Sequence, residues 1–199
     1  MTATTTRTSP VRSRILTAAR RRFYVDGIRA VSADRLIADA EVSKMTFYRH
    51  FRSKDDLVVA YLGEFVTEER AAMAESRAAH AGDPAAVLRA YAERIGTLSC
   101  VEGFRGCAFL NAAAEYADPT HPVRGVVQTH RAWLRGELAD LLIELGVSAG
   151  RAERAADELQ MLRDGAMVAG TLDGRPTEAA ASLVAAGEAV VRAALRPGA

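Results

Sequence analysis

Residues 32–57, SADRLIADAEVSKMTFYRHFRSKDDL, constrain the fold more than any other stretch of this chain. Ser32, Ser43 and Ser53 each stand directly before a run with helical spacing, and serine there caps a helix by accepting from its first free amides. In the first run Leu36 and Ile37 lie one turn from Ala33 and Ala40, so one side is apolar. In the second, Phe47 and Phe51 are four apart and face inward together. Val42 is the apolar plug between the two helices, and Leu57 joins the same core. The third run opens with Asp55 and Asp56, where the helix dipole favours negative charge. Lys44, Thr46, Tyr48, Arg49 and His50 are left on the outer and flanking surfaces of the second helix. They supply donors, a stackable ring and a base-edge reader, as a helix in a DNA major groove requires. Lys54, beside the next helix start, is placed to meet a phosphate. The pattern is that expected of a helix-turn-helix.

Charge distribution agrees. Residues 1–56 hold 12 Lys and Arg against 6 Asp and Glu, whereas residues 57–199 hold 14 against 19. The near-neutral total of +1 conceals a basic head and an acidic body, which suits a head that meets a polyanion. Arg20, Arg21 and Arg22, with Arg7, Arg12 and Arg14, are either further phosphate contacts or a solvated face.

The rest of the chain reads as helix, with no strand pattern and no internal repeat. A helix is expected from Ser53 towards His80. Asp83 and Pro84 cap and open the next, over 85–99. A short helix covers about 107–116 and a long one 123–145, ended by Gly146. Two more run over about 152–172 and 177–195. The expected fold is all-α: a basic arm over 1–9, a three-helix DNA-binding head over 10–56, and a larger helical body over 57–199.

Residues 10–62 resemble the N-terminal domain of the tetracycline-repressor (TetR) family of bacterial transcription regulators. The resemblance rests on Val42-Ser43, Thr46, Tyr48, Phe51 and Lys54, preceded by Ile15, Ala18-Ala19, Phe23 and Asp26-Gly27. Two positions depart from the pattern: Glu41 stands where glycine is frequent, and Met45 where a small residue is frequent. On this basis Ser32, Ser43, Lys44, Met45, Thr46, Tyr48, Arg49, His50 and Lys54 are the expected DNA-binding residues.

The resemblance also implies a homodimer paired through the last two helices. Leu159, Leu162, Ala166 and Ala169 on one, and Leu183, Val184, Gly187 and Val191 on the other, are the expected interface. It further implies a pocket in the body for a small apolar or amphipathic effector. Candidate lining residues are Tyr91, Phe104, Cys107, Phe109, Leu110, Asn111, Tyr116, His130, Trp133 and Met161, each of which could equally be ordinary core. The function expected is a homodimeric repressor that a small molecule releases from a palindromic double-stranded DNA operator. The alternative is a DNA-binding regulator with no small-molecule ligand, or an activator acting through a protein partner.

Other chemistries find little support. There is no Gly-rich phosphate loop, no nucleophile elbow and no histidine-glutamate-x-x-histidine helix, so no enzyme is expected. No cofactor or metal is expected, because the histidines and cysteines lack ligand spacing. Cys100 and Cys107, with six residues between them across a Gly-rich turn, are a candidate redox pair. No run of 18 apolar residues occurs and residues 1–10 lack a signal-peptide core, so a cytoplasmic protein is expected.

Overall fold

The computed structural model describes residues 9–173 and 176–196. Most of the arm expected at 1–9 therefore lies outside the described residues. Among the described residues there are nine helices and no strand: α1 (Pro10–Asp26), α2 (Ala33–Asp39), α3 (Lys44–His50), α4 (Lys54–Ala79), α5 (Pro84–Ser99), α6 (Ala108–Glu115), α7 (Pro122–Glu144), α8 (Ala149–Leu172) and α9 (Pro176–Leu195).

The helix boundaries follow the local chemistry. Ser32, Ser43, Ser53 and Asp83 each accept a hydrogen bond from the amide three residues on, at 3.0–3.2 Å. Such a cap stabilises a helix start by about 1 kcal/mol. Two helices end in the same way. After α7, Gly146 adopts φ +95°, its amide donates to Ile143, and the Val147 amide donates to Leu142. After α2, Glu41 takes the glycine role at φ +50°, its amide donates to Ala38, and the Val42 amide donates to Ile37. Both are Schellman endings, which satisfy carbonyls that the helix terminus leaves free. A glutamate can close the turn, but a Cβ in left-handed backbone costs about 1–2 kcal/mol. The departure from glycine at position 41 thus leaves the turn in place and adds strain.

Head and body share one core. Ile15, Leu36, Phe47, Leu57, Val58 and Leu62 are essentially inaccessible to water, and their cluster continues through Tyr61 and Ile95 to Phe109, Val127 and Met167. The carrier of this continuity is α4. Its first turns pack beneath the head, and its 26 residues run unbroken for about 39 Å. The head–body boundary expected at 56/57 falls inside this helix. A second cluster, around Leu134, Leu138, Leu141, Leu142 and Ala152, closes the far end of the body.

Candidate nucleic-acid interface and body cavity

The seven residues of α3 divide cleanly. Phe47 is fully buried, and Phe51 follows it into the core. Lys44, Met45, Tyr48 and Arg49 are exposed, and Thr46 and His50 are half-buried at the flanks. Met45 is the extreme, at 79% exposure. No packing within the chain explains a methionine so placed. The Tyr48 ring stands edge-on to Phe47 at 5.3 Å, which holds it upright on the outer face. The two serines are spent locally. Ser32 caps α2, and Ser43 caps α3 while donating to Thr46 Oγ1 at 2.9 Å. Lys44 pairs across the turn with Asp34 at 3.5 Å, and both are exposed, so the pair is weak. Lys54 lays its ammonium 6.0 Å from the Phe23 ring centre, and partial burial pulls its pKa below the usual lysine range.

The arginine triplet of α1 does different work. Arg20 pairs with Glu68 and stacks 4.3 Å over Phe65, while Arg21 and Arg22 both reach Asp39. These guanidiniums bind α1 to α4 and α2, which favours a structural role over phosphate contact.

Residues from the body grip the head. The Glu115 carboxylate, at the end of α6, accepts from the amides of Ile28 at 2.9 Å and Arg29 at 2.6 Å. Tyr116 donates to Asp55 at 2.6 Å, and burial together with that bond pushes its phenol pKa well up. Tyr24 of α1 donates to the Gly106 carbonyl at 2.9 Å and accepts from the Arg105 amide at 3.0 Å. Both ends of α6 are therefore tied to α1, the α1–α2 turn and the start of α4. Nothing in the sequence around Glu115 distinguishes this carboxylate from the solvated ones.

The interior of the body holds an unexpected polar group. Arg163 of α8 is only 3% exposed. Its guanidinium lies 3.2 Å from Cys107 Sγ, 3.3 Å from Glu69 and 3.0 Å from Asp164. His130, 2% exposed, sits 3.0 Å from Glu69 and stacks on Phe109 with ring centres 3.8 Å apart. Burial pushes the Glu69 carboxyl up, but the His130 ring and the Arg163 charge outweigh it and hold it below its ordinary value of 4.5. Three cavities meet this cluster. One of about 260 Å³ between α5, α7, α8 and α9 reaches Tyr91 and Arg163. One of about 360 Å³ beside α1 and the α5–α6 loop reaches Glu69, Phe104, Cys107 and Phe109. The third, about 220 Å³, reaches Glu69, Tyr91 and Arg94.

Of the expected effector residues, Tyr91, Phe104, Cys107, Phe109 and His130 converge here. The others do not. Asn111 is exposed and donates to the Arg105 carbonyl, and Tyr116 serves the head contact. Leu110 packs on the shared core. Trp133 only borders the cluster, through His130. The other face of Trp133 lines an outer groove between α4 and α7, with Arg70 5.2 Å over its ring. Met161 is 63% exposed on the outside of α8, because its helical position points opposite to Arg163 and Met167. Glu69 and Arg163, the centre of the cluster, escaped sequence reading because charged residues on long helices ordinarily face water. Cys100 is exposed and Cys107 buried, and both are free thiols.

The expected interface residues also separate into two sets. Leu159, Leu183, Val184, Gly187 and Val191 line the 260 Å³ cavity. Leu162, Ala166 and Ala169, again with Leu183, line an open groove between α8 and α9, beside Met161. Along the outside of α8, Met161, Val168 and Leu172 form an exposed apolar stripe.

No helix among the described residues is long and apolar enough to cross a membrane, and no group of His, Cys, Asp and Glu there is arranged to hold a metal. Residues 15–61 match the family model described as bacterial regulatory proteins, tetR family. A search of curated proteins returned no match. Among solved structures, a TetR-family transcriptional regulator from Streptomyces coelicolor is 41% identical, with 94% of this chain and 96% of that chain covered and a TM-score of 0.87. NemR from E. coli in its reduced form shares the fold at 23% identity, with 90% and 96% covered and a TM-score of 0.77. A TetR regulatory protein from Rhodobacter sphaeroides does so at 22% identity, with 92% and 98% covered and a TM-score of 0.78. With its exposed α3 face, its all-helical body and a relative this similar over nearly its whole length, the chain belongs to the TetR family of DNA-binding transcription regulators.

Proposed function

We propose that the protein is a homodimeric repressor whose grip on a palindromic operator is released by a small molecule bound in the body. The observation that carries the DNA half is the outer face of α3. Met45, Tyr48 and Arg49 stand free for base edges, Lys44 and Lys54 flank them for phosphates, and Thr46 and His50 sit at the margins. The head, over 10–56, is the reader in this proposal, and 57–199 the sensing and pairing body.

Pairing is supported by the α8–α9 surface. The exposed stripe of Met161, Val168 and Leu172 borders a groove floored by Gly165, Ala166 and Ala169. A contiguous apolar patch of this kind marks an interaction surface, and small residues let helices approach closely. Two copies joined there would present two α3 helices to half-sites about 34–36 Å apart, or a multiple of that. Sensing is supported by the polar cluster and its cavities. Cys107 and Phe109 open α6 beside the cluster, and Glu115 and Tyr116 close it against the head. A ligand that displaces the first turn of α6 would move the residues that hold the α1–α2 turn and the start of α4. It lowers DNA affinity only so far as it binds the displaced form better.

A gel-shift titration against the promoter of the protein's own gene tests the DNA reading. Tyr48→Ala combined with Lys54→Ala is expected to weaken specific binding more than tenfold, from about 1–3 kcal/mol per lost base contact and the lost phosphate contact. Binding should fall steeply with salt, log K dropping by about 0.9 per phosphate neutralised for each tenfold rise in salt. Binding that ignores DNA sequence, or that survives the double substitution, would overturn these assignments.

A further inference from the structure

The cavity between α5, α7, α8 and α9 is apolar along its wall and cationic at its edge. Leu88, Leu138, Leu159, Val184 and Val191 form much of the wall. The charged lining is Arg89, Arg163 and Arg192 against Glu188 alone. These guanidiniums are not alike. Arg163 is buried, and Glu69 and Asp164 match it from inside the body. Arg89 of α5 and Arg192 of α9 are exposed and share one carboxylate. Glu188 lies 3.1 Å from Arg89 and 3.5 Å from Arg192. Among the described residues neither of the two pairs with a second carboxylate. One positive charge at the edge is therefore unmatched.

Wall and edge together set the chemistry of a guest. The wall favours an apolar body, which gains by leaving water. The two guanidiniums favour a carboxylate, whose oxygens accept from their planar donors. Held at the exposed edge, that carboxylate keeps part of its water and avoids the cost of a buried charge. A cation would meet Arg89 and Arg192 with like charge. Size follows from the volume. A dry apolar cavity of about 150 Å³ holds benzene, so about 260 Å³ suits roughly ten non-hydrogen atoms. The lining runs from Ala85 to Ala92 along α5 and from Leu183 to Arg192 along α9, roughly 10–14 Å at the rise of a helix. That reach suits a chain laid between the two helices.

We infer that this cavity binds a medium-chain carboxylate, with its tail against the apolar wall and its carboxylate at Arg89 and Arg192. The inference rests on the proposal that the body is ligand-responsive, and it names the chemistry of the ligand. The buried Arg163 also lines the cavity, and it holds Cys107 at the start of α6. A tail lodged there presses on the residue that anchors α6, the helix that ties body to head.

The test uses the full-length protein without DNA and three probes with one tail: octanoate, 1-octanol and octylammonium. By calorimetry octanoate should bind about tenfold more tightly than octanol, the worth of a charge-assisted hydrogen bond, and octylammonium most weakly. Salt should narrow the advantage of octanoate, because the edge charges are exposed. Arg89→Gln combined with Arg192→Gln should bring octanoate down to the level of octanol and leave octanol unchanged. Glu188→Gln frees both guanidiniums and should tighten octanoate about threefold. A glutamate that merely braced the edge would do the opposite when removed. These residues are exposed, so their variants should melt close to the parent protein. Val184→Phe, which fills the cavity, should weaken octanoate and octanol alike by more than tenfold. Octanol binding as tightly as octanoate, octylammonium binding most tightly, a preference that survives the double substitution, weaker octanoate binding in Glu188→Gln, or no binding of any probe would each overturn the inference. Release from DNA is read separately. Octanoate that binds in this way and leaves DNA affinity unchanged supports the cavity chemistry and sinks the ligand-responsive reading. Release by some other molecule in a protein that ignores octanoate does the reverse.

Discussion

The outer face of α3 and the cluster around Arg163 are both groups of polar side chains, and they are organised in opposite ways. On α3 the side chains point into water, and their neighbours are three or four residues away in sequence. Around Arg163 they point at one another, and the partners come from 56 and 94 residues away. The first group has hydrogen-bonding capacity to spare because water supplies the rest until a groove replaces it. The second has little to spare, because each unmet bond inside the body costs free energy. A surface for an external partner can thus be built from a short helix and a cap. A site for an internal one needs four helices.

This contrast can be broken in three ways. The largest effect is expected from Glu69→Ala, which leaves the buried Arg163 and His130 without their shared carboxylate and should cost about 3–5 kcal/mol in urea unfolding. Lys44→Ala, which breaks an ion pair just as visible but exposed, should change stability by less than about 0.5 kcal/mol. Equal costs would mean that burial does not separate the two regions. The same carboxylate sets an acid limb. Its pKa is lowered in the folded state, so its stabilisation is fully present above the ordinary value of 4.5 and is lost as pH falls through the folded value. Stability of Glu69→Gln should accordingly fall less on acidification than that of the parent protein.

An intermediate effect is expected at the joint between the regions. Glu115→Ala strips the Ile28 and Arg29 amides of their acceptor. It should cost about 1–2 kcal/mol and speed hydrogen exchange at those amides specifically. Unchanged exchange there would remove α6 as the link between cavity and reader. A smaller effect than at the joint is expected at Glu41. Glu41→Gly relieves left-handed strain of about 1–2 kcal/mol, and a more flexible unfolded chain offsets part of it. A net gain of about 0.5–1 kcal/mol in thermal unfolding is expected, and a loss would show that the turn is held by the glutamate side chain.

Where residues act on near neighbours, sequence reading succeeded. Ser32, Ser43, Ser53, Asp83 and Gly146 end or begin helices as expected, since a cap needs only the next three amides. Phe47 and Phe51 turned inward, because four residues make one helical turn. Reading was weaker where a helix has two apolar faces. Val184, Gly187 and Val191 lie on a regular stripe, but periodicity cannot tell a cavity wall from a dimer face. Met161 met the same limit. Its spacing and chemistry fit a core, yet the neighbouring helices pack elsewhere and leave it on the outside.

By itself, then, the sequence determined the helices, their caps, the helix-turn-helix and the side of α3 that faces outward, all consequences of interactions within about one turn. Tertiary structure alone decided that Arg163, Glu69 and His130 meet inside the body and that Glu115 and Tyr116 hold the head. Those outcomes depend on which helices cross and how closely. Crossing is set by the summed packing of residues far apart in the chain, which no local pattern records.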